Sequence, residues 1–78
     1  MTEDEKWMNL ALKEAKKAVV EGEVPVGAIL IKNGLLIAKA HNQPISLNDA
    51  SAHAEIQLIR SAGEKLKNYR LNGTSIYV

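Results

Sequence analysis

No cysteine occurs among the 78 residues, which excludes disulfides and removes thiolate from any metal site this chain builds alone. Phenylalanine is missing as well, and aromatic residues make up only 4% of the chain, so the core has to be aliphatic. Neither sign of charge dominates. Ten Lys and Arg against nine Asp and Glu leave +1, a balance that does not announce a nucleic-acid or membrane-surface partner. No apolar run approaches the roughly 20 residues of a membrane span, and Thr2-Glu3-Asp4-Glu5 lacks the basic start of a secretory signal. The expected compartment is the cytoplasm, with no membrane contact. Internal repeats and low-complexity stretches are absent too.

What is present, 46% hydrophobic and 24% charged, is the make-up of an ordinary globular chain. A chain of this mass buries about 60% of its unfolded surface, enough for one small sheet-and-helix core. Asp4 to Val20 reads as an amphipathic helix, with Trp7, Met8, Ala11, Leu12, Ala15, Ala18 and Val19 at three/four spacing. Thr2 and Glu5 fit a capping box at its start, and Gly22 a stop at its end. Lys13, Lys16 and Lys17 read as a solvated face in preference to a phosphate contact.

Two β-prone runs follow, Val24 to Ile31 and Leu35 to Ala40, joined through Asn33-Gly34, a strong hairpin signal. Both are nearly all apolar, which implies a sheet covered on both faces. Pro25 belongs at the first strand's start. Gly27 and Ala28 are small for a strand, leaving room either for a ligand or for a helix packed closely on the sheet. His41 to Asp49 is polar and turn-rich. A second helix is expected from Asp49 or Ser51 as N-cap to about Ala62, with the stripe Ala52, Ile56, Ile59 and Ala62, stopping before Gly63. Glu64 to Asn68 reads as a charged connection, and Asn72-Gly73 introduces a last strand, Thr74 to Val78. The order helix, strand, strand, helix, strand defines an α/β layer in which the second strand, its helix and the third strand form a crossover unit.

The chemistry concentrates in Ser51-Ala52-His53-Ala54-Glu55. Two His and seven Glu in this chain give about 0.2 His-x-Glu pairs by chance, so the pair by itself proves little. Residues two apart on a helix point about 200° from each other and cannot both be ligands on one face. At a helix start, however, side chains lean toward the N-terminus. The spacing suits one metal ligand, His53, and one general base, Glu55.

With Glu23-Val24-Pro25-Val26-Gly27-Ala28, His41-Asn42-x-Pro44 and His53-Ala54-Glu55 in that order, the chain resembles the N-terminal half of bacterial tRNA adenosine deaminases. These belong to the zinc-dependent cytidine-deaminase-like superfamily. The resemblance extends to Asn68-Tyr69-Arg70-Leu71 and Ile76-Tyr77-Val78. It implies a cytidine-deaminase-like three-layer sandwich, truncated to helix-strand-strand-helix-strand, with residues 1–78 as the first part of a single deaminase domain. It further implies His53 as zinc ligand and Glu55 as proton shuttle, with Asn42, Val26 and Ala54 against the substrate base. In the family two cysteines of a P-C-x-x-C segment complete the zinc site. That segment would begin just past Val78, and one imidazole alone cannot hold catalytic zinc, which takes three protein ligands.

The function so implied is hydrolytic conversion of adenosine to inosine at the tRNA wobble position, with the anticodon loop as partner and a homodimer as assembly. Two alternatives stay open. One is a free-base deaminase acting on guanine or cytosine. The other is a non-catalytic deaminase-like module that associates through the strand edge at Ile76-Tyr77-Val78.

Overall fold

In the computed structural model, which describes residues 2–67 and 72–78, the elements run α1 (Glu3–Val20), β1 (Gly27–Lys32), β2 (Leu35–His41), α2 (Ala54–Leu66) and β3 (Thr74–Tyr77). The capping expectation for α1 is met at its Thr half, since the Glu5 amide donates to Thr2 Oγ1 at 3.2 Å. Glu21 is the C-cap, and Gly22 follows with a φ of 76°. The buried face of α1 is narrower than the predicted stripe. Trp7, Ala11, Glu14 and Ala18 are buried, while Met8, Leu12 and Val19 are exposed.

Asn33 and Gly34 both take positive φ, 54° and 75°, as a two-residue primed hairpin turn requires. The first strand starts at Gly27, so Val24, Pro25 and Val26 precede it rather than belong to it. β1 lies between β2 and β3 and is antiparallel to both. The crossover through α2 therefore joins two parallel strands that are not neighbours. The hairpin register slips between Leu30 and Ile31.

Successive residues of β1 point to opposite faces. Ala28 and Leu30 enter one core with Ala38, Ala40, Ala54, Leu58 and Ala62, and Ile29 and Ile31 enter a second with Trp7 and Ala11. The sheet is thus sandwiched between α2 and α1, the three layers expected. Full cover holds for β1 alone. On β2, Leu35 and Leu36 are exposed. Gly27 settles its own alternative: a Cβ there would press on the Ala11 carbonyl oxygen and the Ala15 amide of α1. The missing side chain lets helix and strand approach.

The second helix departs most from expectation. It begins at Ala54, with His53 as N-cap, and passes through Gly63 to Leu66, so Glu64 is helical. Asp49 does not cap it, because its Oδ1 is taken by the amide and hydroxyl of Ser51 at 2.9 and 2.7 Å. The buried face is Ala54, Leu58 and Ala62, one residue per turn or so, while Ile56 and Ile59 are 37% and 47% exposed. Those two lie about 200° and 140° around the helix from Ala54, which the sheet holds inward. The Asn68-Tyr69-Arg70-Leu71 match lies outside the described residues. Among the described residues no helix is long and apolar enough to cross a membrane.

Candidate functional site

The chain's chemistry gathers where β1 begins and β2 ends. Two loops meet there, 22–26 and 42–53, and their backbones are tied together. The Asn42 amide donates to the Val26 carbonyl at 3.0 Å, and the Gln43 amide to the Ala52 carbonyl at 2.9 Å. From α2, Gln57 Nε2 reaches back to the carbonyls of His41 and Ala52, at 2.6 and 3.3 Å.

A buried carboxylate holds the longer loop. Glu23 accepts from the amides of Ile45 and Ser46, at 3.3 and 2.7 Å, and from Ser46 Oγ at 2.8 Å. Burial by itself pushes its pKa up, yet the Ser46 and Ile45 donors, with His41 nearby, outweigh burial and hold it below the usual carboxylate range. Asp49 is lowered as well, by its two hydrogen bonds from Ser51. Beside them His41 bridges to α1, its Nε2 2.9 Å from Glu21 Oε1 and its Nδ1 3.6 Å from Glu14 Oε1. Glu14 is buried and also pairs with Lys17 at 2.7 Å. His41 thus braces the end of β2 against α1.

At the start of α2, His53 and Glu55 are exposed while Ala54 between them is wholly buried. The His53 ring makes no capping hydrogen bond to the helix. Instead the Ala54 amide donates to Asn42 Oδ1 at 2.8 Å. Asn42 is itself buried, and Val26 packs on the same cluster as Ala54. The structure therefore brings Val26, Asn42 and Ala54 together, with His53 and Glu55 flanking the last. Two surface grooves along α1, including one of about 220 Å³ between Met8, Leu12, Val26 and Val78, are lined by neither His53 nor Glu55.

Sequence reasoning quoted Glu23 and His41 within its motifs but gave neither this role, and it did not foresee Gln57 or the His41–Glu14–Glu21 cluster. Only Glu23 carried a signal, as a charge set beside an apolar Val-Pro-Val run. Among the described residues no three His, Cys, Asp or Glu side chains are grouped to hold a metal. The donor set fits one arm of a zinc site, His53, and not a complete catalytic shell.

The family model for the cytidine and deoxycytidylate deaminase zinc-binding region matches residues 1–78, the whole chain. The chain belongs to this deaminase family. It is 51% identical over 75 residues to the tRNA-specific adenosine deaminase of Buchnera aphidicola subsp. Schizaphis graminum, covering 96% of this chain and 50% of that protein. To the tRNA-specific adenosine deaminase of Bacillus subtilis it is 49% identical over 78 residues, covering 100% of this chain and 48% of that protein. This deaminase chain thus spans about half the length of the curated relatives it matches. Among solved structures, one from work on A-to-I editing by tRNA:A34 deaminases at the wobble position superposes with a TM-score of 0.93. It shares 46% identity, covering 97% of this chain and 58% of that one. Guanine deaminase from Bacillus subtilis superposes with a TM-score of 0.89 at 35% identity, covering 94% of this chain and 47% of that one.

Proposed function

We propose that this chain supplies the His-x-Glu half of a zinc-dependent deaminase that converts adenosine to inosine at the wobble position of tRNA. The observation that carries it is the start of α2, where His53 and Glu55 stand exposed on either side of a residue whose backbone and methyl are both fixed. The tRNA deaminase relatives and the superposition at 0.93 support the substrate class.

In this reading His53 is the histidine ligand of one zinc per complete domain, the other ligands coming from outside these residues. Glu55 takes one proton from the attacking water and delivers it to a purine ring nitrogen as the water oxygen bonds the carbon that bears the amine. It then carries the second proton from that oxygen to the amine as the C–N bond breaks and ammonia leaves, work suited to a positioned carboxylate. Asn42 hydrogen-bonds the flipped-out base, and Val26 and Ala54 line the wall against it. The complete protein acts in the cytoplasm on the anticodon loop, and as a homodimer. The exposed Ile56 and Ile59 offer an apolar face for a second copy.

A second reading, deamination of a free base, is favoured by the 35% identity to a guanine deaminase. One assay separates them. The complete domain is given a cognate anticodon stem-loop, free guanine and free cytosine, and ammonia release and inosine formation are followed. Inosine at the wobble position, with no turnover of the bases, is expected. Turnover of guanine or cytosine alone would overturn the tRNA assignment.

A further inference from the structure

The first amides of a helix have no partner within it and need an acceptor from elsewhere. At α2 the N-cap residue, His53, does not provide one from its side chain. Asn42, twelve residues upstream, supplies Oδ1 to the Ala54 amide at 2.8 Å. The same peptide unit is held at its other end, where the His53 carbonyl accepts from the Gln57 amide at 3.0 Å. A peptide plane fixed at both polar ends, next to a methyl that is 0% exposed, sets the directions in which His53 and Glu55 leave the backbone.

Asn42 is well placed for this. It is 5% exposed, and its own amide is anchored on the Val26 carbonyl. Because the Ala54 amide is a donor, only the oxygen of the Asn42 carboxamide can face it. We infer that Asn42 is a positioning residue beyond the base contact proposed above: its oxygen orients the His53-Ala54-Glu55 turn, which leaves its Nδ2 as the end for that contact. The base contact rests on the deaminase reading, while the positioning role does not.

Asn42→Ala and Asn42→Asp in the complete domain separate the two ends. Aspartate keeps the acceptor, at a helix terminus that favours an anion, and loses the donor. Hydrogen exchange of the Ala54 amide, followed by NMR, is expected to quicken about tenfold in Asn42→Ala, the size of one lost hydrogen bond. In Asn42→Asp it stays close to wild type. With tRNA substrate, Asn42→Asp is expected to keep kcat nearer to wild type than Asn42→Ala does, and to raise KM. Asn42→Ser replaces the alanine variant if that one does not fold.

Unchanged Ala54 exchange in Asn42→Ala overturns the inference. So does an Asn42→Asp protein that protects Ala54 but loses kcat as fully as Asn42→Ala. If the unaltered domain does not deaminate tRNA, the functional reading fails, and the exchange result still decides whether Asn42 positions the turn.

Discussion

Glu23 and Ser46, 23 residues apart in sequence, meet through a carboxylate oxygen that accepts both the Ser46 amide and the Ser46 hydroxyl, at 2.7 and 2.8 Å. This contact fastens the loop that leads from Asn42 to His53, and it needs Glu23 ionised. A neutral carboxyl would offer a proton where two donors already point.

The sign of the pH dependence follows. Glu23 is held below the ordinary carboxylate range in the folded protein, because donors from Ser46 and Ile45 outweigh burial. Its contribution is present above the unfolded carboxylate value and is lost as pH falls through the lowered folded one. Melting temperature is expected to drop on acidification, and Glu23→Gln to flatten that acid limb while lowering stability at neutral pH. An acid limb of undiminished slope in Glu23→Gln would remove Glu23 from the account.

Gly27→Ala is expected to destabilise the protein by about 1–3 kcal/mol, the usual range for overpacking a tight contact. The added methyl meets backbone atoms of Ala11, Glu14 and Ala15, which no side-chain rotation can clear. Denaturant unfolding measures the loss. Stability equal to wild type would mean that α1 does not ride directly on β1.

Leu58 is fully buried between α2 and the sheet, in the cluster that also holds Ala54. Leu58→Ala is expected to cost about 2–5 kcal/mol and to loosen the α2 end that carries His53. Calorimetry or denaturant unfolding checks the magnitude, and a cost well under that range would place Leu58 outside the core.

Glu55→Gln in the complete domain is expected to leave zinc content near wild type and to cut deamination by about 10²–10⁴-fold, the range for a lost acid–base group. His53→Ala is expected to deplete the metal instead. Metal analysis of both variants, alongside an ammonia-release assay, tests the division of roles. Loss of zinc from Glu55→Gln would make Glu55 a ligand.

Residues 1–78 alone are expected to hold less than one zinc per chain, since His53 is a single donor and the chain has no cysteine. Stoichiometric tight zinc on the purified 78-residue chain, by elemental analysis, would show that other side chains complete a site.

Local chemistry settled much of this protein before any folding. Thr2 capping the helix that begins at Glu3, the Asn33-Gly34 turn and the His53-Ala54-Glu55 pattern rest on neighbours within a few residues, so sequence alone displays them. Other features arise only when distant segments meet. The start of α2 at Ala54 depends on an Asn42 oxygen twelve residues away, and Asp49, a good cap by type, is drawn to Ser51 instead. Ile56 and Ile59 match a helical stripe as well as Leu58 does, and the sheet chooses Leu58 because Ala54 and Ala62 set the helix's rotation. Glu23 would belong at a surface by residue type, yet folding brings it three donors, and a carboxylate so paired can be buried. Residue type and spacing specified the candidate reacting groups; tertiary packing decided which backbone carries them and what holds that backbone still.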